Sequence, residues 1–436
     1  MFVWGVAPSG FERSLLRILW AKANKILPVH SGGDIRSYNM ARQLAKRHDV
    51  TFFSYYDGAP DGAYDQELRE HFPGAVSAST GERRDTPLRR GLDYVSRLPR
   101  QAPYAVSRFA SRAVESQLKR WYAEQAFDVA ICDFLDAAVN FPKELDIPTV
   151  LFQHNVESEI WRRHATNGSS GLKKLVYRLE FSKMRRYEQA MVRRFHHIIA
   201  VSDHDKKLMS AWVDAARLSV VPTGVDTEQF HPGPEPSWGK PLVVFVGAMD
   251  WEPNIDAVEY FCREIWPSIV ARVPNAHFRI VGRNPGGRVG RLACNSVEVT
   301  GRVPSVVDHL REAAVVVVPL RIGGGTRIKI YEAMAVGKAL VSTTVGAEGL
   351  DVHHGQDILL RDTPDKFAES VVTLLQDAEA RGRLERAAAE LAANYGWPMV
   401  GAKFGEILQS VIGESLEIAS RYAKAGENLN NTSGSW

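Results

Sequence analysis

Short runs rich in Val, Ile and Phe alternate with longer amphipathic stretches along nearly the whole chain, and this pattern admits few folds other than parallel βαβ units. Ile18–Ala23 reads as a first strand, Ser31-Gly32-Gly33-Asp34 as the loop after it, and Arg36–Arg47 as the following helix. Further strands are expected at Val50–Tyr55, Val129–Cys132, Thr149–Phe152, Ile198–Ser202 and Ser219–Val221. The alternation stops at Phe230-His231-Pro232-Gly233-Pro234-Glu235-Pro236, where closely spaced prolines continue neither strand nor helix. It restarts at Leu242–Gly247 and runs through Phe278–Gly282, Val297–Val299, Val315–Pro319 and Ala339–Ser342. Trp397–Ile412 is helical in pattern, and Asn428–Trp436, rich in Asn, Ser and Gly, reads as disordered. The expected class is α/β: two Rossmann-like, doubly wound domains, 1–230 and 241–396, joined by a hinge linker at 231–240 and followed by a C-terminal helix, 397–427, and a tail, 428–436. Two such halves place a ligand cleft between them, at the strand C-termini.

Composition excludes several classes. Hydrophobic residues make up 45% and charged residues 24%, ordinary for a globular enzyme, and a net charge of +3 gives no chain-wide attraction to nucleic acid. Cys132, Cys262 and Cys294 lie far apart, with neither a zinc-type spacing nor a disulfide framework, so a reducing cytoplasm fits. Met1–Arg17 carries Glu12 and Arg13 and makes a poor signal peptide, and no apolar run reaches the roughly 18 residues of a membrane span.

The densest chemistry lies between Pro319 and Ser342. A buried strand ends at Pro319, and Gly323, Gly324 and Gly325 then let backbone N–H groups approach a ligand. Thr326 is placed to cap the next helix, whose N-terminus is a ready anion site. Arg327 and Lys329 add positive charge to its first turn, where cations disfavour the helix unless an anion is present. Glu332, one turn on, is placed to accept both hydroxyl hydrogens of a ribose.

This stretch, followed by Thr344-Val345-Gly346-Ala347-Glu348-Gly349, resembles the donor-site signature of family-4 glycosyltransferases. The resemblance extends to Leu27–Asn39, to Val201-Ser202, to Val221–Asp226 with Phe230 and Pro232, to Val246-Gly247, and to Trp397, similar to the start of the family's crossover helix back to the first domain. It implies a GT-B fold, transfer with retention at the anomeric carbon, and no required metal or cofactor beyond a nucleotide-sugar donor. Glu332 matches the second of two glutamates in the family signature, and Gly324 stands where the first would be. Ala248 and Asn254 stand where the family usually carries Arg and Lys, and we expect Arg327 and Lys329 to replace those charges. Gly32, Gly33, Gly247, Gly282, Arg302, Gly324, Gly325 and Thr326 are the implied donor-binding positions. His154, in Gln153-His154-Asn155-Val156-Glu157 at the end of a strand, matches a family His beside the donor sugar. His154, Arg327, Lys329 and Glu332 form the expected catalytic set.

The expected function is hexosyl transfer to a sugar, polysaccharide or lipid-linked acceptor, in polysaccharide or glycolipid biosynthesis. The alternatives are a GT-B sugar-nucleotide epimerase or phosphorylase, or a non-catalytic nucleotide-sugar-binding protein. A nicotinamide dehydrogenase is excluded by the missing G-x-G-x-x-G fingerprint. Two basic stretches remain. Gly81–Arg120 and Trp161–His197 each hold ten Lys/Arg, against four and two acids, interleaved with Tyr94, Tyr104, Phe109, Tyr177 and Phe181. They are expected to touch an anionic membrane surface, making the protein cytoplasmic or peripheral on the inner face of the membrane; no nucleic-acid motif accompanies the charge.

Overall fold

The structure is a computed structural model, and it describes residues 15–29, 31–81, 87–143, 147–167, 171–233, 241–323 and 327–432. It separates into two compact units, one of residues up to Val221 plus those from Gly401 onward, the other Pro222–Val400. The break at Val221 precedes the proline-rich segment, whose residues 234–240 lie outside the described residues.

In the first unit β1 (Arg17–Ala23), β2 (Asp49–Tyr56), β3 (Val76–Ser79), β4 (Val129–Asp133), β5 (Thr149–Gln153), β6 (His197–Ala200) and β7 (Leu218–Val220) form one sheet in the order β3-β2-β1-β4-β5-β6-β7. Every pairing is parallel. In the second unit β8 (Leu242–Val246), β9 (His277–Val281), β10 (Val297–Gly301), β11 (Val315–Val318), β12 (Leu340–Ser342) and β13 (Leu359–Leu360) order as β10-β9-β8-β11-β12-β13, again all parallel. Both sheets are doubly wound. The order reverses between β1 and β4 in one and between β8 and β11 in the other, the points where such sheets bind ligands.

Strands covered on both faces read as unbroken apolar runs, and β4, β5 and β11 are buried along their whole length. The sheet-edge strands β3 and β13 were not expected, because Val-Ser-Ala-Ser and a two-residue Leu-Leu carry little apolar signal. Gly32 and Gly33 correct another expectation. They are not loop residues but the first turn of the helix Gly32–Ala45, capped by the Ser31 side chain, which accepts from the Asp34 N–H.

Trp397 meets its own unit at Gly224. A Cβ there would lie 2.4 Å from the indole, so no larger residue fits. The helix starting at Trp397 runs to Thr432, through Asn428–Thr432, which composition alone marks as disordered. Ala419, Ala423, Lys424, Ala425 and Glu427 are strong helix formers and carry the helix into that segment. Within the first unit its Phe404 packs on Trp20 and Phe152, with ring centroids 5.8 and 5.1 Å apart.

Candidate active site

In the second unit the residues converge at the C-terminal end of β8. The turns after β8 and β9 touch through backbone: a Cβ on Gly282 would lie 1.7 Å from the Gly247 carbonyl oxygen. Asn254 is buried beside them and donates from Nδ2 to the Ala248 carbonyl at 2.8 Å. Its Oδ1 accepts from Lys329 Nζ at 2.9 Å, and the same ammonium lies 4.4 Å from the centre of the Phe245 ring. A side chain at Gly247 would collide with this pair, since a Cβ there would lie 2.7 Å from both Lys329 Nζ and Asn254 Nδ2.

Lys329 and Glu332 share the helix Ile328–Ala335. Burial, then the neighbouring Arg327 charge, pulls the Lys329 ammonium down to about 7 against the support of Glu332. Burial pushes the Glu332 carboxyl up to about 7, opposed by Lys329. Arg327 is the helix N-cap residue, taking the position expected of Thr326, and its guanidinium lies 6.0 Å from the Trp251 ring centre. Gly323 has φ +126° and faces Trp251, Pro253 and Arg327, so a side chain there would be both strained and crowded.

The first unit holds a different kind of centre. His154 follows β5 and is 2% exposed. Its Nδ1 lies 2.8 Å from Arg36 Nη1 and its Nε2 2.7 Å from Asp133 Oδ1. A guanidinium only donates, so Nδ1 accepts and Nε2 carries the proton that Asp133 receives. Burial pulls His154 down to about 3 despite the Asp133 hydrogen bond, so the ring is neutral at any physiological pH. Burial pushes Asp133 up, yet Lys22, the His154 hydrogen bond and Ser37 hold it below the ordinary carboxylate value. Trp20 Nε1 donates to the second Asp133 oxygen at 3.0 Å, and Lys22 Nζ stands 3.5 Å from Asp34. Phe134 lies flat on the His154 ring, centroids 3.7 Å apart and planes within 5°, with φ +69° at an aromatic residue. Its Cζ would sit 2.5 Å from a Cβ on Gly33.

Residues 30–229 match the family model Glycosyltransferase Family 4, and residues 240–377 match Glycosyl transferases group 1. The chain belongs to glycosyltransferase family 4. Phosphatidyl-myo-inositol mannosyltransferase of Mycolicibacterium smegmatis is 26% identical over 333 residues, 73% of this chain and 81% of that protein. Among solved structures, sucrose-phosphate synthase of Thermosynechococcus elongatus aligns with a TM-score of 0.67 at 17% identity, over 92% of this chain and 100% of that one. Anabaena HepE, solved with UDP, aligns with a TM-score of 0.62 at 16% identity, over 91% and 100%. The two parallel-sheet, Rossmann-like units are those of the GT-B fold.

In this glycosyltransferase the structure brings Gly247, Gly282 and Lys329 together, with Glu332 one helical turn from Lys329. Arg302 is exposed, directly after Gly301, whose carbonyl accepts the Gly282 N–H at 3.2 Å. Gly324, Gly325 and Thr326 lie outside the described residues. Gly32 and Gly33 open a helix, and Gly33 packs against Phe134. Sequence reasoning missed Lys22, Arg36, Asp133 and Phe134. Two of them had left a signal: Lys22 interrupts an apolar strand, and Asp133 ends one.

Proposed function

We propose that this glycosyltransferase moves a hexose from a nucleotide-sugar donor to a hydroxyl of a sugar, polysaccharide or lipid-linked acceptor, with retention and without a metal. The observation that carries the reading is the Lys329 ammonium, fixed by Asn254 against Gly247 at the end of β8. When the donor's anomeric bond breaks, negative charge grows on the leaving diphosphate. A cation already fixed in place stabilises that charge without reorganising, an effect worth several kcal/mol in a water-poor site. Arg327 and the helix N-terminus beside it add to the same field. The leaving diphosphate takes the acceptor's proton on the same face, so no dedicated base is required. Glu332 holds the ribose hydroxyls. His154, with both ring nitrogens engaged, works as a positioning residue that keeps Arg36, Asp133 and Phe134 in place. UDP in the Anabaena neighbour supports a nucleoside-diphosphate leaving group, and the M. smegmatis relative's name supports a lipid-linked acceptor.

The test is turnover of a panel of UDP-, GDP- and ADP-sugars in EDTA, with phosphatidylinositol or a free sugar as acceptor. Release of nucleoside diphosphate coupled to a glycoside of unchanged anomeric configuration is expected. Activity abolished by EDTA and restored by magnesium or manganese, or a product of inverted configuration, overturns the mechanism. Failure of the whole panel to bind or turn over overturns the function.

A further inference from the structure

Four large aliphatic side chains stand in solvent on two helices of the first unit. Leu92 and Val95, on the helix Pro87–Arg97, are 63% and 60% exposed, and Leu175 and Leu179, on the helix Leu172–Arg194, are 64% and 42% exposed. Spacings of three and four put each pair on one face of its helix. The two helices are tied side by side: Tyr94 donates to Glu180 at 3.3 Å, and Lys183 Nζ donates to the Leu98 carbonyl at 2.6 Å. Four aromatic residues of the basic stretches pack within the unit, and the aliphatic side chains take the exposed positions instead. Tyr94 and Tyr104 stack edge to face, Phe109 is buried, and Tyr177 packs on Trp161.

The exposed charge of the longer helix has one sign. The helix Leu172–Arg194 has two acids, and both point inward. Glu180, 2% exposed, accepts the Tyr104 N–H. Glu188, fully buried, accepts the N–H groups of Glu157 and Ser158, supplying from a distance the cap of the helix Glu157–Asn167. The outward charges of the longer helix are then Arg178, Arg185, Arg186 and Arg193, all exposed. On the shorter helix Asp93 is bonded to Arg97. Leucines rising from a surface of arginines, with the carboxylates withdrawn, match a bilayer's acyl layer beneath anionic headgroups. A second copy fits worse, because it would bring arginines against arginines. Nucleic acid fits worse as well, because aliphatic side chains offer no stacking face to bases.

We propose that the helices Pro87–Arg97 and Leu172–Arg194 dock this glycosyltransferase on an anionic phospholipid surface, with Leu92, Val95, Leu175 and Leu179 entering the headgroup layer. No helix among the described residues is long and apolar enough to cross a membrane, so the contact is peripheral. The proposal extends the lipid-linked acceptor reading, but its test needs neither donor nor acceptor. Full-length protein is sedimented with phosphatidylcholine vesicles, with and without phosphatidylglycerol, across a salt series. Binding to the anionic vesicles alone, weakening as salt rises, is expected. Leu175→Gln with Leu179→Gln should weaken vesicle binding about tenfold, and Arg185→Glu with Arg186→Glu should abolish its dependence on phosphatidylglycerol. All four positions are exposed, and circular dichroism checks that each variant keeps its fold. Turnover of a water-soluble acceptor should be unchanged in both variants. Equal recovery on neutral and anionic vesicles overturns the proposal. So does undiminished binding by both variants, or a concentration-dependent dimer that the leucine variant dissolves while no vesicle binding occurs.

Discussion

The two units carry their chemistry in opposite states. In the first, His154, Arg36 and Asp133 satisfy one another in a buried network, and the His is locked as one neutral tautomer. In the second, the Lys329 ammonium donates to Asn254 Oδ1, lies against an aromatic face and stands beside Gly247, and its acidity is shifted to about 7. The first arrangement resists change and the second is left to respond to an incoming charge. A perturbed pKa alone does not separate the two, since His154 is shifted as far as Lys329. What separates them is whether the group's partners already come from the protein.

The largest expected effect therefore falls on stability in the first unit. His154→Ala removes a buried ring that stacks on Phe134 and hydrogen-bonds through both nitrogens, and should cost about 3–5 kcal/mol in urea denaturation. A loss of activity at full stability would instead make His154 a group that meets the substrate.

Lys329→Ala should do the reverse. Removing a cation that burial already penalises leaves stability unchanged, while kcat/KM falls roughly a hundred- to thousandfold. Two limbs of the pH profile belong to this centre. On the role proposed for Lys329 the diphosphate needs it charged, so kcat/KM should fall as pH rises through about 7. On the role proposed for Glu332 ribose binding needs it ionised, so kcat/KM should also fall as pH drops through about 7. Lys329→Arg should remove the alkaline limb, and a profile unchanged by that substitution would take Lys329 out of the diphosphate site.

Glu332→Ala should cost about 2–3 kcal/mol of transition-state stabilisation, near a hundredfold in kcat/KM, with a matching loss of nucleoside-diphosphate affinity. Calorimetric titration with UDP or GDP reads this directly. Unchanged affinity and turnover would show that the ribose is held elsewhere.

Much of this contrast was legible in the chain, unevenly. The second unit announces its site locally, because glycines, cations and Glu332 fall within one strand-to-helix crossing. That Lys329 takes up the position at Gly247 was open to expectation once Ala248 and Asn254 were seen in place of Arg and Lys, although contact required segments far apart in sequence to meet. The first unit's network depends on strand order. β1, β4 and β5 lie side by side, which brings Lys22, Asp133 and His154 together, and no periodicity within any one segment encodes that neighbourhood. Gly32 and Gly33 were read as loop because glycine pairs mark turns. The Ser31-to-Asp34 cap signal pointed to a helix start and was the better guide.

The smallest expected effect tests whether the first unit's rigidity is steric as well as polar. Phe134 holds a left-handed backbone conformation that an aromatic residue adopts only at a cost, and its ring is wedged between His154 and the first turn of the helix at Gly33. Gly33→Ala puts a methyl 2.5 Å from Phe134 Cζ. The ring cannot retreat, because His154 stacks on it, so the substitution should cost about 1–3 kcal/mol. Phe134→Leu shortens the side chain and makes its own cavity. Combined with Gly33→Ala it should recover at least half of the Gly33→Ala loss, a coupling visible in a double-mutant cycle. The equivalent cycle between Gly247→Ala and Lys329→Ala should show only partial recovery of stability, because Asn254 Nδ2 crowds the new methyl as closely as Lys329 Nζ does, and no recovery of activity on the role proposed for Lys329. Strict additivity at Gly33 and Phe134 would mean that the wedge is not what holds this end of the network, and that its polar bonds alone account for the order around His154.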